Sequence, residues 1–154
     1  MKVVIIMGSD KDLEFSSRIL NFIEQFKVPA QLRISSAHKT PLNVLKIIEK
    51  EKDVVYITVA GKSNALSAFV DANTIYPVIS CPPLKKDKFD TDLFSSLSMP
   101  SGVAPMVVLN PENEALAALK ILALQNKGLQ QEIQKHQNKA KDKIDKKDKE
   151  VSNG

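Results

Sequence analysis

The 154-residue sequence predicts an α/β domain built on one five-stranded parallel sheet, and three observations predict it. Short runs rich in β-branched residues alternate with longer segments of helical spacing. The runs are apolar nearly throughout, as strands buried on both faces are, whereas half-exposed strands alternate apolar with polar. Each run is bounded by glycine, proline or small polar residues.

The first strand is Val3 to Met7, stopped by Gly8-Ser9-Asp10. Leu13, Ile19, Leu20, Ile23 and Phe26 then share one helical face. Ala30 to Ile34 is the second strand. Thr40 with Pro41 places a capping side chain before a proline at the first helical position, so a helix carrying Val44, Leu45, Ile47 and Ile48 starts there. Val54 to Val59 is the third strand, and Ala60-Gly61 turns the chain towards a further helix. Pro77 to Ile79 and Ala104 to Leu109 are the fourth and fifth strands. Asn110 with Pro111 repeats the cap and proline signal, Leu116, Leu119 and Leu122 line the helix that follows, and Asn126-Lys127-Gly128 reads as its stop. Parallel strands joined by covering helices, with right-handed crossovers, are the three-layer flavodoxin-like or Rossmann-like class.

Residues 1–126 form the expected domain, and 127–154 a lysine-rich tail. In the tail Leu129, Ile133, Ala140, Ile144 and Val151 make a sparse apolar stripe. That stripe fits either one more helix lying on a neighbouring subunit or a solvated, partly disordered end. With 43% hydrophobic residues the chain has material for one core. Its single cysteine, Cys81, excludes an internal disulfide framework and a four-cysteine zinc site. The first apolar run spans five residues, too few for a signal-peptide core or a bilayer span, so a soluble cytoplasmic protein without a membrane partner is expected. The net charge of +4 resides mainly in the tail, where eight lysines face five acids. Asp142, Asp145, Asp148 and Glu150 interleave with those lysines and no aromatic residue does, which argues against nucleic acid as a partner.

Ligands of open parallel sheets bind beyond the carboxyl ends of the strands, so the loops there carry the candidate chemistry. Gly8-Ser9 offers backbone amides and a hydroxyl at a helix start, where phosphate is favoured; Asp12 either caps that helix or accepts from ribose hydroxyls. No second glycine follows, so this is neither a dinucleotide fingerprint nor a P-loop. His38 is one of two histidines, and the other lies in the tail. An imidazole exchanges protons near neutrality, and Lys39 beside it can hold an anion. No second histidine or cysteine stands close by to complete a metal site. In Ala60-Gly61-Lys62-Ser63-Asn64, Ser63 either caps a helix or, with Asn64, offers donors to a small polar group. Cys81 has no base in its own segment and reads as buried and inert.

Over residues 3 to 125 the chain resembles the phosphoribosylaminoimidazole carboxylase family of purine biosynthesis. MGSDKD, SSAHKTP, AGKSNALSAF, YPVISCPPL and SSLSMPSGVAP stand in the family's order. The bacterial mutase type carries Gly-Gly-Ala-Ala-His-Leu-Pro after the third strand. Here Gly61-Lys62-Ser63-Asn64-Ala65-Leu66 is similar to the second type, which carboxylates aminoimidazole ribonucleotide directly with CO2. The resemblance implies a carboxy-lyase that needs no biotin, ATP or metal cofactor and forms symmetric homo-oligomers, commonly octamers. It implies that Gly8, Ser9 and Asp12 hold the phosphoribosyl part, that Ser36 and Lys39 help hold the nucleotide, and that Gly61 with Ser63 and Asn64 contacts the ring or CO2. His38 is then the proton carrier, Arg33 either a further positive charge or a side chain facing solvent at the strand end, and Met99, Pro100, Ser101 and Gly102 close the pocket, from a neighbouring subunit in the oligomer. Lys11 departs from the family's usual small residue, often serine, and Lys62 from the arginine common in direct carboxylases. Rivals are the mutase and a non-enzymatic signalling domain; the second wants a lysine ending the fifth strand, where Leu109-Asn110-Pro111 stands.

Overall fold

In the structure, a computed structural model, β1 (Lys2–Met7) pairs in parallel with β2 (Ala30–Ile34) on one side and β3 (Val54–Val59) on the other. The sheet continues through β4 (Val78–Ser80) to β5 (Met106–Val107), giving the order β2-β1-β3-β4-β5. Residues 1–83 and 89–152 are described, with the backbone alone for 89–92. A 3-10 turn (Asp10–Asp12) leads into α1 (Leu13–Glu24), and α2 (Pro41–Lys50), α3 (Ala65–Asp71), α4 (Phe89–Leu97), α5 (Pro111–Ala123) and α6 (Lys127–Ser152) follow.

Alternate residues of the central strands feed two cores. Val3, Ile5 and Met7 with Val55, Ile57 and Val59 pack against Ile19 and Ile23 of α1 and Ala115, Ala118, Leu119 and Leu122 of α5. Val4, Ile6 and Tyr56 pack against Val44 and Ile47 of α2 and Leu66 and Val70 of α3. β1, β3 and β4 therefore bury both faces, the physical reason these runs are apolar nearly throughout, whereas the edge strands β2 and β5 stay partly exposed. The architecture is the predicted three-layer, flavodoxin-like sandwich. Arg18 adds an exposed clamp between α1 and α5, donating to both Glu112 carboxylate oxygens at 2.8–3.1 Å.

Four local expectations come out differently. The fifth strand is two residues long, because Pro105 has no N–H to give a ladder and Asn110 already caps α5 by accepting from the Asn113 N–H at 3.0 Å. Thr40 precedes α2 without capping it; its hydroxyl turns back to accept from the Ser36 N–H at 2.9 Å. Asn64, not Ser63, caps α3, accepting from the Ser67 N–H at 3.3 Å. Asn126-Lys127-Gly128 starts a helix: α5 has already ended at Ala123, and Asn126 Oδ1 accepts from the Leu129 N–H at 3.0 Å in the first turn of α6.

The first half of α6 is anchored by buried Leu129 and Ile133 and by His136, whose ring meets the edges of Phe22 and Phe26 at 5.3 and 5.5 Å between centroids. Beyond it the helix is exposed to its end. No described helix is long and apolar enough to cross a membrane.

Candidate active site

A cleft of about 630 Å³ opens where the strands end, lined by the loops after β1, β2 and β3 and by Pro83 after β4. β1 and β3 are neighbours, yet the helices that follow them cover opposite faces of the sheet. Their connections part there and leave a crevice at the topological switch point.

The first loop forms the floor. The Gly8 N–H donates to Val59 O at 2.9 Å, and a Cβ on Gly8 would stand 3.5 Å from Ala60 Cβ, so β1 and β3 end in close contact. Ser9 Oγ accepts from the Lys11 N–H at 3.2 Å and donates to Asp10 Oδ1 at 3.0 Å, which fixes the 3-10 turn. Asp12 lines the cleft, and burial raises its carboxyl above the usual range, against a hydrogen bond to the Ser9 backbone that lowers it.

The second loop presents His38 on a braced turn. Buried Ser35 accepts from Asn43 Nδ2 at 3.1 Å and shares a hydrogen bond with Thr40 Oγ1 at 3.0 Å. The Thr40 N–H donates to Ser36 O at 2.9 Å, and the Lys39 N–H to Ser36 Oγ at 3.3 Å. The sequence Ser-Ser-Ala-His-Lys-Thr thus spends its hydroxyls on closing a turn whose tip, His38 with Lys39, is exposed at the cleft. The imidazole is thus open to whatever occupies the cleft.

The third loop brings Gly61, Lys62 and Ser63 to the wall. Among the described residues, three ammonium groups, on Lys11, Lys39 and Lys62, therefore share one cleft with one imidazole and the carboxyl of Asp12. Such a set favours an anionic ligand and offers a proton acceptor beside it. Of the residues singled out in the sequence, Gly8, Ser9, Asp12, Ser36, His38, Lys39, Gly61 and Ser63 line this one cavity. Asn64 does not: it is 1% exposed, and its side chain bonds within the protein. Met99 and Ser101 lie outside the cleft of this chain, between α4 and β5. Arg33 is also outside it, and its charge helps hold the Glu51 carboxyl low, behind the Lys2 and Gln31 contacts. Sequence reasoning assigned no site role to the apolar walls, Phe15, Ala37, Ala60, Leu66 and Pro83, since an apolar side chain carries no chemical signature of a binding wall. Cys81 is buried, and burial, followed by the nearby Glu114 carboxyl, pushes its thiol up, in keeping with an inert side chain.

The sequence pattern of the AIR carboxylase family matches residues 2–143. A phosphoribosylaminoimidazole carboxylase of Archaeoglobus fulgidus is 53% identical over 154 aligned residues, covering 98% of this chain and 85% of that protein. The Treponema denticola protein of the same name is 37% identical, covering 92% of each. A human bifunctional phosphoribosylaminoimidazole carboxylase/succinocarboxamide synthetase is 44% identical over 81% of this chain, which spans 30% of that longer protein. The crystal structure of Treponema denticola PurE superposes with a TM-score of 0.93 at 36% identity, over 96% of both chains.

Proposed function

The chain belongs to the AIR carboxylase family of purine biosynthesis enzymes, and on that premise we propose that it carboxylates 5-aminoimidazole ribonucleotide directly with CO2, His38 acting as general acid/base. The observation that carries this reading is the His38 imidazole at the cleft, set beside the ammonium groups of Lys11, Lys39 and Lys62.

The product is 4-carboxy-5-aminoimidazole ribonucleotide. Aminoimidazole is an electron-rich enamine, so its C4 can attack CO2 once the two are held in line away from bulk water. The new C4–carboxylate bond leaves C4 tetrahedral, bearing both hydrogen and carboxylate. Neutral His38 takes that proton, the C4–H electron pair returns to the ring, and aromaticity is restored; in reverse, His38 gives the proton back. Gly8, Ser9 and Asp12 hold the phosphoribosyl part, Ser36 and Lys39 grip the nucleotide, and Gly61 and Ser63 face the ring and CO2. Met99 and Ser101 close the cleft of a neighbouring copy in the homo-oligomer that the resemblance implies.

The direct-carboxylase reading rests on the Gly61-Lys62-Ser63-Asn64 loop in place of the mutase stretch. Purified protein is given, in separate reactions, 5-aminoimidazole ribonucleotide with bicarbonate as the CO2 source, and the N5-carboxylated nucleotide. Turnover with the first and little with the second is expected. The opposite pattern makes it a mutase, and no turnover with either overturns both.

A further inference from the structure

We infer that Asn64 is a positioning residue: its buried side chain, tied to Ser80 of β4 and Ser96 of α4, holds the Gly61-Lys62-Ser63 wall of the cleft in a conformation that the segment would not keep alone.

The backbone here is strained at Ser63 and turns sharply at the next residue. Ser63 has φ +49°, in the left-handed region that a non-glycine residue seldom occupies. Asn64, at φ −66° and ψ 62°, is the centre of an inverse γ-turn closed by the Ala65 N–H on Ser63 O at 2.6 Å. A left-handed serine such as Ser63 persists only where the surroundings over-determine it, and such residues gather at ligand sites.

Those surroundings are on hand. Asn64 Nδ2 donates to Ser80 Oγ at 2.5 Å and to Ser96 Oγ at 2.9 Å, which uses both amide hydrogens. Its Oδ1 accepts from the Ser67 N–H, and its own N–H donates to Ser95 Oγ at 2.9 Å. Asn64, Ser80 and Ser96 are each at most 1% exposed. The amide therefore has no donor left for a ligand. Its partners come from 16 and 32 residues further along the chain, so the strained turn is pinned to a neighbouring strand and to a helix outside the cleft. Fully satisfied buried networks of this kind fix one geometry.

The functional consequence rests on the proposed carboxylation, in which this wall faces the ring and CO2 while the other two loops grip the nucleotide. Loosening the wall should lower kcat and weaken CO2 saturation, leaving the nucleotide KM nearly unchanged. The deciding variant is Ser96→Ala, which takes one partner from Asn64 without touching the cleft, with Ser80→Ala as a second route should the first fail to fold. Expected are a kcat lowered by about tenfold or more, a nucleotide KM within about twofold, and recovery in Ser96→Thr, which keeps the hydroxyl. The Asn64→Ala/Ser96→Ala double variant should be no slower than Asn64→Ala alone. Independently of turnover, amide exchange at residues 61–65 should accelerate by about tenfold in Ser96→Ala with the rest of the sheet unchanged. Wild-type kcat together with wild-type exchange in both alanine variants would overturn the role of Asn64. An inactive wild type whose exchange still responds to Ser96→Ala would instead overturn the carboxylase reading.

Discussion

Glu114, in the first turn of α5, buries its carboxyl completely against the thiol of Cys81 at the end of β4, and among the described residues neither carboxyl oxygen meets a nitrogen or oxygen partner. Burial raises this carboxyl well above the usual carboxylate value of 4.5, with the Cys81 contact a smaller effect in the other direction. A carboxyl raised in the folded state contributes its full stability below the unfolded value and loses it as pH rises through the folded one. Glu114→Gln stays neutral throughout. Its advantage over wild type should widen by about 1.4 kcal/mol per pH unit above pH 4.5, roughly 3–5 °C per unit in melting temperature, until Glu114 ionises in the fold. Melting curves of both proteins from pH 4 to 9 check this; parallel curves would refute it.

The two halves of α6 should respond oppositely to the same substitution. Ile133 is 6% exposed against α1 and α5, so Ile133→Ala removes buried methylenes and leaves a void, at a cost of about 2–4 kcal/mol. Ile144, at 68% exposure, has little to lose, and Ile144→Ala should cost under about 0.5 kcal/mol. Urea unfolding of the two variants decides. An equal cost would mean that a second copy covers the outer half of the helix in solution.

What was legible in the sequence follows from which forces are local. Val54–Val59 was readable to the residue because both its faces are buried and its run is unbroken. α4 was not foreseen: Phe94 and Leu97 stay more than half exposed, and Ser95 and Ser96 tie the helix to Asn64. The same distance effect hid the situation of Asn64, whose donors are visible in the sequence but whose acceptors are not. The carboxyl-end rule located the cleft, since it depends on topology alone, and three of the four loops at its rim carry their own glycine or hydroxyl signature. Its apolar walls have no such signature.

Replacing His38 tests the proposed proton transfer with little risk to the fold, because the side chain is exposed on a turn closed by its neighbours' hydroxyls and backbone. His38→Asn should reduce kcat by about 10²- to 10⁴-fold, the usual range for a lost acid/base group, and leave the nucleotide KM within a few-fold. Steady-state kinetics in both the carboxylation and decarboxylation directions measure it. Near-normal turnover in either would remove His38 from the mechanism.

Lys11 offers a charge effect separable from chemistry. It lines the cleft on the exposed 3-10 turn beside Asp10 and Asp12, on the loop proposed to hold the phosphoribosyl part. An ammonium in that position acts on the ligand through a partly hydrated path, so its contribution is modest and salt-sensitive. Lys11→Ser should raise the nucleotide KM by about 3- to 10-fold at low ionic strength and leave kcat unchanged. As salt screens the charges the gap should narrow, because Lys39 and Lys62 keep the cleft positive in both proteins while only the wild type has the Lys11 ammonium to be screened. A KM ratio that stays constant from about 20 to 300 mM salt would mean that Lys11 acts through a desolvated, directed hydrogen bond rather than through its field, and a ratio of one would remove it from the binding site.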